Sequence, residues 1–377
     1  MKNKIKEIEK YLPEGWKEKC RELKALVRGR QIKTAEELLT LNLLYLTVGG
    51  SFGTTSTLIN LTTDKMMSKK AVYTRIQNSG EWLKWMCERM CLNNNMLLPK
   101  PQWLTKNIKL VDGSWLCVKG SKKSDYMLHY AFNPFEFTST FQITDRSKGE
   151  SLVNYELTEN DIVIGDRVYV SIRGMEYALS CGADFILRYR DKAFNIYSKQ
   201  GDKIDLLKVL GENKLKPLEN TSIDCFYMSE GKKRPVRVVA VKKTPKSEEE
   251  SIRKMKRRCS RSQRKEPSYQ TVELNKYIIF VTSMRKDEYS NEKISELYRV
   301  RWQIEEVFYR LKTLFNLGEV PSKRADSVKA WFYGKLFLAI LVETIIKRES
   351  FSPGERSNPA YNDKFMEKFA DSFDIYN

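Results

Sequence analysis

The chain has 377 residues, 41% hydrophobic and 31% charged, and its 67 Lys and Arg against 48 Asp and Glu leave a net charge of +19. That balance excludes a disordered basic tail, predicts a globular protein of two or three domains with at least one sizeable core, and makes a polyanion the expected partner. Seven cysteines, at 20, 87, 91, 117, 181, 225 and 259, form no CxxC pair, which argues against both a disulfide framework and a thiolate zinc site.

The start, MKNKIKEIEKYLPEGW, carries charge but no apolar stretch of signal-peptide kind. Residues 1–100 read as helical, with Leu-rich periodicity in AEELLTLNLLYLTVGG and a second amphipathic stretch from Ser68, SKKAVYTRIQNSGEWLKWMCERM. Gly49 and Gly50 break the two apart. Ser68, Lys69 and Lys70 fall at a helix start, where a hydroxyl caps and lysines meet phosphate. A helix-turn-helix-like DNA reader and a plain helical bundle both fit that pattern.

IKLVDGSWLCVKG reads as two strands with Asp112-Gly113 between them, followed by β-leaning sequence from Tyr126 to Thr144. The only histidine, His129, sits in that Tyr- and Phe-rich stretch and reads as a packing residue. In DIVIGDRVYV, Ile162, Val163 and Ile164 make a short buried strand, then come Gly165-Asp166 and a helix reaching about Ser180. Both aspartates fall at strand ends, where ligands gather in α/β sheets. Either alone is more often a turn residue; the pair, together with a later helix carrying Glu305, points to a site.

After the strand ADFILRYR the composition changes, and residues 191–275 combine β-like stretches such as RPVRVVAVKK with the polar run SEEESIRKMKRRCSRSQRKEP. Residues 253–265, with Lys254, Lys256, Arg257 and Arg258, are expected to track a phosphate backbone in preference to forming a merely solvated helix. The core resumes with the strand KYIIFVTSM. Further on, the most apolar window, Ala330 to Ile346, is short and carries Lys335 and Glu343. It reads as a buried helix and not a membrane span, so the expected location is the cytoplasm, with no membrane partner.

Between these two stretches lies ELYRVRWQIEEVFYRLKTLF. Tyr298, Arg301, Glu305 and Lys312 stand there at offsets of three, seven and fourteen residues. At about 100° per residue they share roughly a 60° arc of one helix, beside an apolar face of Val300, Ile304, Val307, Leu311 and Leu314. A carboxylate flanked by cations suits a metal-and-phosphate site, although a salt-bridged solvated helix has the same look. With one histidine in the chain, carboxylates are the catalytic groups to expect. In a basic protein they suggest Mg²⁺ chemistry on phosphodiesters, one ion activating water or a 3′-hydroxyl and a second stabilising the leaving oxygen.

These residues resemble the DDE transposases of bacterial insertion sequences, specifically the insertion-sequence-four family, marked by Tyr-x2-Arg-x3-Glu-x6-Lys. Tyr298, Arg301, Glu305 and Lys312 match that signature without a gap, and Trp302 beside Arg301 is also similar. VDGSW around Asp112 resembles the family's first-aspartate block and IGDRVY around Asp166 its second, while LPEGW and AEELLTLNLLYL are similar to its helical DNA-binding region. The resemblance implies an α/β chain with an RNase H-like catalytic core at 105–190 and 276–348. A mostly β insertion with a basic segment interrupts it at 191–275, an all-α N-terminal DNA-binding domain spans 1–100, and a tail covers 349–377.

It further implies that Asp112, Asp166 and Glu305 ligate two Mg²⁺ ions, with Mn²⁺ as a substitute, and that Tyr298, Arg301, Trp302 and Lys312 contact DNA near the cut end. The implied partners are double-stranded DNA, as transposon ends and target, and a second copy in a synaptic homodimer, in a bacterial, nucleoid-associated setting. One departure stands out: some relatives hold a flipped base with a Trp of the insertion, whereas residues 191–275 carry no Trp, only Phe194, Tyr197, Phe226, Tyr227 and Tyr269. Two other readings share the charge and fold, an RNase H-like nuclease or resolvase without strand transfer and a catalytically retired DNA-binding regulator. Joining of a cut end to a second duplex separates the first from a transposase; loss of metal-dependent nicking marks the second.

Overall fold

The computed structural model describes residues 2–93, 98–118, 120, 123–136, 139–261, 266–302, 319–321 and 324–349. The protein is a mixed α/β chain, and the described residues fall into two compact units: those of 1–104, 113–149 and 303–352, and those of 105–112 with 150–302.

In the first unit the helices are α1 (Lys2–Glu9), α2 (Trp16–Glu22), α3 (Ala35–Thr47), α4 (Phe52–Thr62), α5 (Lys69–Asn78), α6 (Gly80–Asn93) and the long α12 (Ala325–Glu349). Hydroxyls set the helix starts: Thr34 accepts from the Glu37 amide, Ser51 from that of Thr54 and Ser68 from that of Ala71. The amphipathic stretch from Ser68 is two helices and not one. Buried Ser79 turns its hydroxyl onto the Arg75 carbonyl at 2.9 Å and accepts from Asn42 at 3.0 Å, and Gly80 then opens α6. The window around Ala330–Ile346 lies within α12, whose Trp331, Phe332, Tyr333 and Phe337 are buried. Lys335 shares that burial by donating to the Leu46 carbonyl at 3.3 Å with its ammonium over the Trp331 ring. Gly334 is required where α12 meets α3, since a Cβ there would come within 2.8 Å of a Leu46 methyl. Among the described residues no helix is long and apolar enough to cross a membrane.

The same unit holds the antiparallel pair β2 (Tyr126–Phe132) and β3 (Ser139–Asp145), with His129 opposite Gln142. His129 is fully buried, with Nε2 2.8 Å from the Thr144 hydroxyl, and burial pushes its pKa down to about 4. The folded value lies below the unfolded one near 6.5, so the unfolded chain takes up the proton first, and stability falls as pH drops through that window. Between pH 7 and pH 5 the wild type should lose about 2 kcal/mol more stability than His129→Gln. Urea unfolding of both proteins at the two pH values reads this directly, and equal losses would remove His129 as the source.

In the second unit six strands run in the order β1 (Asn107–Val118, of which 107–112 belong to this unit), β4 (Asp161–Gly165), β5 (Asp184–Arg188), β8 (Tyr277–Thr282), β7 (Lys232–Lys242), β6 (Asn220–Ser229). β1, β4 and β5 are parallel; each later pairing is antiparallel. All five residues of β4 are buried, which is why Ile162–Ile164 run apolar without alternation, while the buried Asp161 at its start is paired with Lys109 at 2.8 Å. The crossover from β4 to β5 is α7 (Ile172–Ser180), capped by Ser171, whose hydroxyl accepts from the Gly174 amide at 3.1 Å.

Two expectations change here. IKLVDGSWLCVKG is one twelve-residue strand, not two, because its first half pairs with β4 while Cys117 pairs with Glu319 of β9 (Glu319–Val320). Its two halves do not pair with each other, so Asp112-Gly113 makes no hairpin turn. Segment 191–275 contributes β6 and β7 but also α8 (Leu206–Glu212), α9 (Pro245–Arg261) and α10 (Tyr269–Leu274). Its strands extend the core sheet, with β7 pairing to β8 from Arg237↔Thr282 to Lys242↔Tyr277.

Candidate active site

Strand register assembles the site. β1 and β4 pair in parallel from Asn107↔Asp161 to Leu110↔Ile164, and the same offset carried two residues further sets Asp112 against Asp166. β4 and β5 pair up to Gly165↔Leu187, so one more step sets Asp166 against Arg188. β5 and β8 then bring Arg188 opposite Phe280. The four residues thus follow one register line across adjacent strands, in which Arg188↔Phe280 is a paired step and Asp112 and Asp166 lie just past the last pairs of their ladders. Two carboxylates lie at one end of the row and a guanidinium and a ring at the other.

Each member of the row is held locally. Asp166 is half-buried and caps the 3₁₀ turn Arg167–Tyr169 by accepting from the Val168 amide at 2.8 Å. Asp112 is half-buried too, and its backbone carbonyl accepts from the Tyr155 hydroxyl at 2.9 Å. Arg188 is 4% exposed, and among the described residues its Nη2 has no hydrogen-bond partner. Burial, then the neighbouring Arg167, then Arg301 push its pKa down to about 9, with Tyr298 opposing. A buried guanidinium among like charges is costly unless an anion joins it, so this end of the row is built to receive one.

Tyr298 lies near the end of α11 (Asn291–Arg299), with its ring 4.6 Å from that of Phe280, and the Arg301 guanidinium sits 5.5 Å from the Tyr298 ring centroid. The structure therefore brings Tyr298 and Arg301 beside the Arg188 end of the row. The helix is not continuous through the signature, however. It stops at Arg299, and the Arg301 amide donates to the Tyr298 carbonyl at 3.0 Å, an i to i−3 bond that tightens a turn before Trp302. The helix is thus interrupted between Tyr298 and Trp302, while the Arg301 guanidinium still stands over the Tyr298 ring. Glu305 and Lys312 lie outside the described residues.

Sequence reasoning missed Arg167, Arg188 and Arg190. With Met255, Leu274 and Tyr277 they line a cavity of about 300 Å³. The available signal was the pair of arginines ending ADFILRYR, at the C-terminal end of a strand parallel to the one before Asp166. The basic cluster on α9 is nearer this site than expected: Met255 lines the cavity and the charge of Arg258 bears on Arg167. Burial lowers the Arg167 pKa, Arg258 adds to that, and Tyr298 and Asp166 oppose it. Lys256, Arg257 and Arg258 are exposed on α9, and Lys254 is half-buried.

As a metal site the donors fit a hard cation, since Asp112 and Asp166 offer carboxylate oxygens in register. Among the described residues no three acidic, Cys or His side chains are close enough together to hold an ion.

Comparison with known proteins gives the same direction. Residues 103–342 match the family described as a transposase DDE domain. Over 345 residues, 89% of this chain and 91% of the relative, the sequence is 29% identical to the putative transposase InsL for insertion sequence element IS186A of Escherichia coli (strain K12). It is also 29% identical over 346 residues, with the same coverage, to the transposase for insertion sequence element IS421 of Escherichia coli. A shorter match, 28% over 204 residues, covers 49% of this chain and 41% of the transposase for insertion sequence element IS231E of Bacillus thuringiensis subsp. finitimus.

Proposed function

This chain belongs to the transposase DDE-domain family, and from that premise we propose that it binds the terminal inverted repeats of an insertion sequence and cuts and joins their strands with Mg²⁺ held by Asp112, Asp166 and Glu305. The observation that carries the reading is the register line Asp112, Asp166, Arg188, which sets two metal-type ligands beside a buried guanidinium whose Nη2 has no partner among the described residues. When bound, two divalent ions, Mg²⁺ or in its place Mn²⁺, supply activation of water or a 3′-hydroxyl and stabilisation of the leaving oxygen in an in-line displacement.

The chain's own residues do the rest. Arg188 and Arg167 take phosphate oxygens of the bound end, and Tyr298 and Arg301 fix its position from α11 and the following turn, with Trp302 and Lys312 beyond. Lys254, Lys256, Arg257 and Arg258 on α9 hold backbone nearby. The fold is read as an RNase H-like core over 105–190 and 276–348, interrupted at 191–275. Residues 1–100 are an all-α DNA-binding domain in which Ser68, Lys69 and Lys70 open the α5 reader. Two copies pair in the synaptic complex.

The test is a purified full-length chain with a duplex carrying the inverted repeats that flank its gene. Mg²⁺-dependent nicking at the repeat ends, followed by joining to a second duplex, is the expected result. Nicking without joining would make it a nuclease or resolvase, and absence of metal-dependent nicking would overturn the catalytic reading.

A further inference from the structure

Two buried tyrosines tie the middle of β1, at Asp112, to the turn that follows β4, at Asp166. The Tyr155 hydroxyl lies 2.9 Å from the Asp112 carbonyl oxygen and 2.9 Å from the hydroxyl of Tyr169, and both side chains are almost fully buried. A carbonyl only accepts, so the single Tyr155 proton goes to Asp112, and Tyr169 must in turn donate to Tyr155. The chain therefore runs one way, from Tyr169 through Tyr155 to the Asp112 carbonyl. Burial raises both hydroxyl pKa values, which keeps both protons in place at neutral pH.

Both ends of this chain are anchored next to an aspartate. Tyr169 closes the 3₁₀ turn that Asp166 caps, and Gly165 leaves room for its ring: a Cβ there would come 3.0 Å from Tyr169 Cδ2 and 3.1 Å from its Cβ. The Tyr155 carbonyl accepts from the Tyr177 hydroxyl of α7 at 2.8 Å, and the Tyr155 and Tyr169 rings meet edge to face, centroids 5.9 Å apart. On β1 the last residue paired with β4 is Leu110, so the Asp112 peptide lies beyond that ladder. The Tyr155 hydroxyl grips its carbonyl at 2.9 Å, and the orientation of that peptide sets the direction in which the Asp112 carboxylate leaves the backbone.

We propose that Tyr155 and Tyr169 are positioning residues that set the affinity of the Asp112 and Asp166 pair for a divalent cation, an inference that rests on the metal-site reading above. Groups that orient metal-ligating side chains typically change metal affinity or activity by about 10- to 100-fold when removed. Nothing in the amino-acid pattern marks them, because the bonds join residues 43 and 14 positions apart.

The experiment uses the full-length chain without DNA, titrated with Mn²⁺ by calorimetry, alongside melting and repeat-end gel shifts in EDTA. Tyr155→Phe keeps the ring and removes the proton. Its Mn²⁺ dissociation constant should rise about tenfold or more, while metal-free melting and end binding stay near wild type. Tyr169→Phe, which breaks only the first link, should move the constant in the same direction by less. Wild-type Mn²⁺ affinity in Tyr155→Phe overturns the proposal whether or not melting falls, since a packing role alone would lower melting and leave the metal constant unchanged. If Tyr155→Phe does not fold, Tyr169→Phe decides, and an unchanged constant there overturns it. Asp112→Asn separates the two levels: wild-type Mn²⁺ binding in that variant sinks the metal-site reading itself, whereas lost binding there with unaltered tyrosine variants sinks only the positioning role.

Discussion

Asp112→Asn, Asp166→Asn and Glu305→Gln should each lower Mg²⁺-dependent cleavage by at least about a thousandfold while leaving repeat-end affinity within a few-fold of wild type. On the proposed reading each change removes one anionic ligand, and ligands that act on the same ions as a unit lose nearly all function when any one is lost. The basic surfaces proposed to bind DNA are untouched, since a carboxylate contributes nothing favourable to phosphate contact. Nicking and gel-shift affinity measured side by side on the three variants give the result. Cleavage retained in any one of them would take that residue out of the site. A parallel loss of binding would show instead that the carboxylate supports the fold.

What the sequence made legible and what it hid follow from the range of the interactions involved. β4 was readable because a strand buried on both faces tends to a continuous apolar run, so Ile162–Ile164 announce it and Asp166 follows just past its end. α9 was readable as a basic surface because charge is a local property. The row Asp112, Asp166, Arg188 was not, because register is a relation between strands and no single segment contains it. IKLVDGSWLCVKG read as two strands around Asp112-Gly113 for the same reason: the pair is a good turn former, and only the partners β4 and β9 show that the backbone stays extended through it.

The break at Val300 and Arg301 went unseen because the segment has helical periodicity on both sides and neither Gly nor Pro at the join. What accompanies the break is tertiary: the Tyr298 ring packs at a tilt against Phe280 of the sheet, and Arg301 folds back over the Tyr298 ring. Arg188 was overlooked since an arginine at the end of a strand is usually solvated. Its 4% exposure is a property of the packed sheet.

The placement of Arg258 near Arg167 makes the division of labour among the cations measurable. Replacing Lys254, Lys256, Arg257 and Arg258 together by Gln should lower end affinity and flatten its salt dependence, with the log–log slope falling by about 0.9 for each phosphate that is no longer neutralised. Arg188→Gln should leave that slope almost unchanged, because one buried cation neutralises at most one phosphate. It should instead depress cleavage of DNA already bound by on the order of 100-fold, since a misplaced phosphate costs transition-state stabilisation more than total binding. Arg301→Ala is expected to behave like Arg188→Gln, as it stands over Tyr298 at the same end of the row. Arg258→Gln alone should show both effects in part, a shallower slope and a slower cut, because its charge reaches the Arg167 turn next to Asp166. Titrations from low to moderate salt, paired with single-turnover cleavage at saturating protein, resolve the two quantities. An unchanged slope in the fourfold variant would reduce α9 to a solvated helix, and an unchanged cleavage rate in Arg188→Gln would leave its buried charge without a phosphate to meet.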